Sequence, residues 1–498
     1  MGPPPPPDPR QISGRVVSLL ARAAQPVYLG SCSLRSGRSQ GVLAVYSPFM
    51  QDKSTMKVLV VGSGGREHAL CWKLSKSPKV SEVLCAPGNP GTAQVARNVD
   101  VAPGDTEGLL ALASSEAVAL VVIGPEDPLV GGLADRLREA GIPVFGPGAD
   151  GAQLEGSKIF SKSFLDRHRI PTAAARQFDR SGAAKSYLEG CTTWPQVVKA
   201  DGLAAGKGVY VCADVAEGLS AINVIMEECR HGNAGARVLI EEFMDGEEAS
   251  VFAVTDGKTI LIMEAVQDHK QVGEGDQGPN TGGMGVHSPV DALNERLHKQ
   301  IEQRILVQTL HGLRQEGIDY RGVLFVGLML TDSGPRVVEY NVRFGDPECQ
   351  ALMMRLEGDL FPILLAAANG DLASIDPPHW DRRAVIGVVA AAKGYPGSIQ
   401  SGDRIHGLEE ADAVDDAMVF HAGTRSEGNH IYTSGGRVLC VAALGADKEE
   451  ARLRAYGAYD LLEWDGKFCR RDIGTRAEAR AAVQAAAEIN MELLGERD

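Results

Sequence analysis

Residues 336–350 read R-V-V-E-Y-N-V-R-F-G-D-P-E-C-Q, and within them Glu339, Asn341 and Arg343 stand two apart. Val337, Val338, Tyr340 and Val342 are β-branched or aromatic, which predicts a strand before Phe344, and Gly345 with Pro347 ends it. Alternate residues of a strand leave the same face, so one face carries a carboxylate, an amide oxygen and a guanidinium. The two oxygens suit Mg²⁺, a hard cation that keeps positions for water and phosphate. The guanidinium fork suits a phosphate or a carboxylate. Taken alone, the stretch also fits an ion-paired edge strand.

Other segments add cations and backbone donors. Lys158 and Lys162, at and after the end of A-Q-L-E-G-S-K, lie four apart on a predicted helix to about His168; solvated lysines are the alternative. Predicted strands at Val197 to Lys199 and Val209 to Cys212 flank a loop with Gly202, Gly206, Lys207 and Gly208. This loop fails the Walker pattern, because only three residues separate Gly202 from Gly206 and Gly208 replaces the hydroxyl residue. It suits a hairpin that folds over a triphosphate, or a plain flexible hairpin. The apolar and acidic run from Val238 through Met244 to Glu248 suits an adenosine slot, with a carboxylate for the ribose hydroxyls. Residues 267–285 form a glycine-rich segment read as a long substrate loop.

These groups need several domains to position them, and 498 residues exceed one core. A net charge of −15 argues against a general nucleic-acid or membrane-surface binder. Nine cysteines without a C-x-x-C or Cys/His cluster read as reduced thiols. No apolar run approaches the ~20 residues of a membrane span. Residues 1–56 are acid-poor, arginine- and serine-bearing, and open on prolines, the composition of an organelle transit peptide or a disordered leader. From Lys57, K-V-L-V-V-G-S-G-G-R-E-H-A-L predicts a strand, a glycine turn and a helix, whose N-terminus favours phosphate. Glu67 stands where a dinucleotide fingerprint has its third glycine, so NAD is not expected. Further strands at Ala119 to Ile123 and Pro143 to Phe145 complete a parallel sheet with its ligand side at G-P-E-D-P-L. A long helix is predicted over Ala292 to Glu316, and beyond Pro378 the pattern is a small α+β domain.

In unbroken order, G-S-G-G-R-E-H-A, A-P-G-N-P-G-T, G-P-E-D-P-L-V, L-E-G-S-K, K-A-D-G-L-A-A-G-K-G-V, Q-D-H-K, G-P-N-T-G-G-M-G, R-F-G-D-P-E, F-H-A-G-T and G-G-R-V-L-C-V make a specific set. From Lys57 to about Asp472 the chain resembles the phosphoribosylamine–glycine ligase (glycinamide ribonucleotide synthetase) family of the ATP-grasp superfamily. The resemblance implies a multi-domain α/β ATP-grasp fold: an N-terminal parallel α/β domain over 57–157, a two-lobed core over 158–381 with a mobile lid at about 176–243, a small α+β domain over 382–480 and a C-terminal helix or tail over 481–498. It implies ATP-driven joining of glycine to 5-phosphoribosylamine through glycyl phosphate, with Mg²⁺ or Mn²⁺.

Residue by residue, Glu339 and Asn341 match the family's metal ligands, Lys158 and Lys199 its ATP lysines, and Glu241, Glu242, Phe243 and Met244 its adenine strand. Glu248 matches its ribose carboxylate, and Gly206, Lys207 and Gly208 its lid. Gly64, Gly65, Arg66 and Glu67 are implied ribose-phosphate contacts; Asp268, Gly283, Arg343 and Asp346 are implied glycine or acyl-phosphate contacts. Asp268 and Asp346 are the candidates to take the amine proton. The chain departs from many ATP-grasp enzymes at Gly327, where a further acidic metal ligand aligns. The resemblance further implies a single-activity monomer or weak dimer, without nucleic-acid or membrane partners, in a plastid before a mitochondrion, or in the cytosol if the leader is no address. The competing expectations are a carboxylating or formate-using relative and a silent nucleotide-binding protein.

Overall fold

The structure, a computed structural model, describes residues 56–203, 208–230 and 232–475. The expected leader and C-terminal tail, together with Gly206 and Lys207, lie outside the described residues. Five parallel strands form the first sheet, in the order Arg97–Asn98, Val80–Pro87, Met56–Gly62, Leu120–Ile123 and Val144–Phe145. Val58 to Val61 are wholly buried, as a central parallel strand requires. Strand order reverses beside Met56–Gly62, so the crevice for a ligand opens over the turn that follows Gly62 and over Gly124 to Glu126.

Two antiparallel sheets follow. The first orders Ala175–Phe178, Val238–Glu242, Gln196–Ala200 and Val209–Cys212, and encloses its own apolar cluster around Leu188, Val198, Ile222 and Ile240. The second orders Ile260–Ile262, Glu247–Thr255, Gly322–Thr331 and Gly334–Asn341. Between them runs the helix Lys158–Arg167, started by the Ser157 hydroxyl, which accepts from Phe160 N–H at 3.1 Å.

Two sequence expectations change. The segment 267–285 is not an unstructured loop: Gln271–Gly273 pairs with Gln277–Asn280 as a hairpin, and Gln267–Asp268 pairs with Gly285–Ser288. Gly285–Ser288 then pairs with Ala384–Ala391, so this segment adds two strands to the sheet completed by Arg437–Gly445 and Ala417–His421. Its glycines and polar residues hide the alternation that marks a strand, and backbone pairing with a distant strand supplies what propensity does not. The helix expected from Ala292 begins at Glu295, because Asn294 accepts from Leu297 N–H at 3.0 Å and caps it; a π-turn at Glu302–Leu306 interrupts it. Among the described residues no helix is long and apolar enough to cross a membrane.

Candidate functional site

Glu339 and Asn341 sit at the end of the strand Gly334–Asn341. Its register against Gly322–Thr331 shifts between the pairs Gly327–Glu339 and Leu328–Val337, leaving Val338 as an extra residue. That bulge resets the alternation: Val337, Tyr340 and Val342 pack in the core while Glu339 and Asn341 stay on the partly open side. Gly327 lies directly opposite Glu339, and a Cβ there would stand 3.2 Å from the Glu339 Cγ. The position where a further acidic ligand was sought is therefore against Glu339 and carries no side chain. Among the described residues no group of three acidic, histidine or cysteine side chains could hold a metal. Two hard oxygens without a second carboxylate fit a cation that completes its shell with phosphate and water.

Cations surround Glu339. Burial would raise its carboxyl, but Lys270, Lys199, Lys158 and Arg343 bring it down to about 2. Lys270 Nζ lies 3.5 Å from Glu339 Oε1 and 3.3 Å from Glu248 Oε2, bridging the expected metal carboxylate and the expected ribose carboxylate. Burial lowers the Lys270 ammonium value, and the fields of Glu248, Glu339 and Asp268 raise it well above the ordinary one. Lys158 Nζ donates to Gly202 O at 3.1 Å, and Lys199 Nζ to Val338 O at 3.4 Å.

Lys162 is not a solvated lysine. It is buried, donates to Thr172 Oγ1 at 2.7 Å, and lies 2.9 Å from Glu241, whose other oxygen is 2.7 Å from Lys199. Glu241 thus points inward and joins two lysines, and their charges hold its carboxyl below the usual range despite burial. The next residue, Glu242, points the other way, to Arg336 at 2.5 Å and Ala174 N–H at 3.0 Å. Phe243 is exposed and Met244 buried, and Gly208 O accepts from Ala200 N–H at 2.8 Å where the hairpin begins.

The glycine turn of the first domain is built around Glu67. Gly62, at φ +125°, and Gly124 leave room for Glu67, which turns back beneath the turn. Its carboxylate accepts from Gly64 N–H at 2.6 Å and from Arg66 Nε at 2.5 Å. Asp346 then accepts from Arg66 N–H at 3.1 Å and lies over Gly64 and Gly65. Three donors of this turn, Gly64 N–H, Arg66 N–H and Arg66 Nε, therefore serve protein carboxylates. Burial pushes the Asp346 carboxyl up, but Arg437 and Arg66 hold it below its ordinary value.

Arg343 is gripped by two carboxylates, Glu155 at 2.6 Å and Glu126 at 3.2 Å. Glu155 also accepts from Val342 N–H at 2.7 Å, and burial pushes its carboxyl up to about 6. Gly283, at φ +109°, packs against Pro347, and Arg437 ties the two segments together. The Arg437 Nη1 donates to Gly282 O and Asp346 O, each at 2.5 Å, and to Gly283 O at 3.5 Å. Asp268 is buried on the adjoining strand Gln267–Asp268. Sequence reasoning missed Lys270, Arg437, Glu126 and Glu155 as site residues, although each lies inside or beside a quoted motif.

Comparison with known proteins gives three profile matches in chain order: Phosphoribosylglycinamide synthetase, N domain, over residues 56–155; its ATP-grasp (A) domain over 156–349; and its C domain over 385–476. The chain is similar to a phosphoribosylamine–glycine ligase of Caulobacter vibrioides, 53% identical over 423 residues that make up 85% of this chain and 98% of that relative. A ligase of the same name from Vibrio cholerae is 49% identical over 428 residues, 85% of this chain and 99% of the relative. The crystal structure of the Thermotoga maritima ligase matches with a TM-score of 0.73 at 34% identity, covering 84% of this chain and 100% of that one. A biotin carboxylase domain from Hydrogenobacter thermophilus, at 17% identity and a TM-score of 0.63, shares the fold over 83% of this chain and 91% of its own.

Proposed function

The chain belongs to the phosphoribosylglycinamide synthetase family, and from that premise we propose that it ligates glycine to 5-phosphoribosylamine with ATP, giving N1-(5-phosphoribosyl)glycinamide, ADP and phosphate in de novo purine biosynthesis. The observation that carries the site reading is the ring of Lys270, Lys199, Lys158 and Arg343 around Glu339. Phosphoryl transfer is catalysed mainly by positioning and by cations at the phosphate oxygens, and this ring supplies them.

In this reading the run Glu241 to Met244 lines the adenine side, Glu248 receives the ribose hydroxyls, and Lys158 and Lys199 meet the phosphates. Lys270, now between two carboxylates, is placed to follow the phosphate charge. When bound, Mg²⁺ or Mn²⁺ at the Glu339 carboxylate and Asn341 amide oxygen supplies charge neutralisation at those phosphates. The glycine carboxylate attacks the γ-phosphate to give glycyl phosphate, and the ribosylamine nitrogen then displaces phosphate. Ribosylamine enters over the turn Gly64 to Glu67, at the reversal of strand order, and Asp346, which lies over that turn, and Asp268 are the two candidates to take the amine proton. The lobe of about residues 176–243, with its separate core, acts as the lid. The protein works as a monomer or weak dimer, and residues 1–56 address it to a plastid.

ADP release from the purified chain with Mg-ATP decides the reading. Release is expected only when glycine and freshly generated phosphoribosylamine are both present. Release with neither, or none at all, would overturn it. Glu339→Ala should abolish turnover with the fold intact, and full activity of this variant in excess Mg²⁺ would remove the metal role.

A further inference from the structure

Asp201 follows the strand Gln196–Ala200 and is the one acidic residue of K-A-D-G-L-A-A-G-K-G-V. Its side chain is 3% exposed, so both oxygens need partners inside the protein. Oδ1 accepts from the Ser157 hydroxyl at 2.8 Å and from Ile159 N–H at 3.1 Å. Oδ2 lies 2.5 Å from the guanidinium of Arg237, which is half exposed, and Asp201 N–H donates to Arg237 O at 3.1 Å. With both oxygens bonded in this way, the carboxylate serves the fold around it rather than a ligand.

The residues it holds bracket Lys158. The helix Lys158–Arg167 opens with N–H groups that have no partner within the helix; the Ser157 hydroxyl takes that of Phe160, and Asp201 takes that of Ile159. Lys158 Nζ in turn donates at 3.1 Å to the carbonyl of Gly202, the residue after Asp201. Gly202 stands at φ +137°, and a Cβ there would come within 2.9 Å of Ala234, so a backbone that suits glycine brings this carbonyl to the ammonium. Lys158 is therefore fixed at both ends, backbone and ammonium, by a dipeptide that lies about 44 residues on in the chain.

A lysine is a compact charge on a flexible stem, and what it contributes at a phosphate depends on how well the base of that stem is held. We propose that Asp201 is a positioning residue for the nucleotide: it locks the start of the helix so that the Lys158 ammonium stands ready for the phosphates, with Gly202 O as its resting acceptor. This rests on the ligase reading above, in which Lys158 meets the phosphates of ATP. Their arrival exchanges a neutral carbonyl for a charged oxygen at Nζ, while the bonds from Ser157 and Ile159 to Asp201 stay in place. Burial lowers the Lys158 ammonium value; Glu339 raises it, Lys199 lowers it, and Asp201 raises it less than Glu339 does. Position, and not charge, is what Asp201 contributes.

The test is calorimetric titration of a non-hydrolysable ATP analogue with Mg²⁺ into the full chain at pH 7, for Asp201→Ala and Asp201→Asn in the wild-type and Lys158→Met backgrounds. Asp201→Ala should weaken binding roughly tenfold against wild type and by less than about twofold against Lys158→Met, because its effect passes through that lysine. Asp201→Asn keeps an acceptor oxygen for Ser157 and Ile159 and should stay within about threefold of wild type. Equal losses in the two backgrounds, as a purely structural residue would give, overturn the proposal, and so does unchanged affinity in Asp201→Ala. Asp201→Asn as weak as Asp201→Ala overturns it too, because charge would then be the cause. Should Lys158→Met bind too weakly to titrate, the KM values decide: Asp201→Ala should raise that for ATP and leave that for glycine, and equal rises overturn the proposal. Should Asp201→Ala fail to fold, Ser157→Ala, which removes one of the two bonds, takes its place with an expected loss of about threefold, and no loss overturns the proposal. Wild type that binds no analogue overturns the nucleotide reading itself, whereas wild type that binds it with no effect of these variants overturns the positioning role alone.

Discussion

Replacing Glu241 with glutamine leaves Lys162 and Lys199, 2.9 and 2.7 Å from its oxygens, without their counter-charge. All three side chains are under a tenth exposed, so water does not step in. Breaking a buried pair by removing one partner costs about 3–5 kcal/mol. Glu242 is the internal reference: its side chain is 42% exposed beside Arg336, and pairs of that kind contribute about 0–1 kcal/mol. Hydrogen exchange of the amides in Gln196–Ala200 and Val238–Glu242 reads the difference. At about 1.4 kcal/mol per decade, Glu241→Gln should speed exchange there by roughly two to nearly four decades, and Glu242→Gln by less than one. The folded Glu241 carboxyl lies below its ordinary 4.5, so its contribution is complete above that value and lost as pH falls through the lowered one. The gap between wild type and variant should therefore close in acid. Equal exchange in the two variants at neutral pH would refute the reasoning, because Glu241 differs from Glu242 in its burial and in its second cationic partner.

Arg437→Lys should cost about 1–3 kcal/mol, since a lysine cannot reproduce the guanidinium bonds that join Gly282 and Asp346. Its KM for glycine should rise while that for ATP holds, and equal rises would count against a clamp that positions the Gly282–Gly283 segment. His68 and His421 form a buried pair in which His68 Nδ1 accepts from His421 N–H at 2.9 Å. Burial lowers both, and His421 lowers His68 further, to folded values of about 3 for His68 and about 4 for His421, against an ordinary 6.5. Between those values and 6.5 the unfolded chain holds more protons, so stability is complete above 6.5 and falls on acidification. His68→Asn should flatten the dependence of the denaturation midpoint on pH between about 7 and 5; an unchanged slope would remove the pair from the account.

Much of the architecture was legible because it is written in local patterns. The buried run Val58 to Val61, the glycine turn after it, the strands Val209–Cys212 and Ala384–Ala391, and the two-residue spacing of Glu339 and Asn341 follow from side-chain periodicity and turn chemistry. Residue type alone marked Glu67 as a break in the dinucleotide pattern. What it did not reveal is that this carboxylate would take the turn's own donors.

Only the tertiary structure decided which groups meet. Lys199 and Val338 are 139 residues apart, and Arg437 and Asp346 are 91 apart. No local rule carries a partner across such distances. Glu241 and Glu242 are the same residue type on one strand, yet one joins two buried lysines and the other a surface arginine, because successive side chains take opposite faces and the fold gives each face its neighbours. The strand Gly285–Ser288 escaped for a related reason, since its partner strand Ala384–Ala391 lies about a hundred residues on and pairing, not propensity, makes it a strand. The sequence determined the groups and their local spacing; the fold alone determined their partners, and with them each group's charge and role.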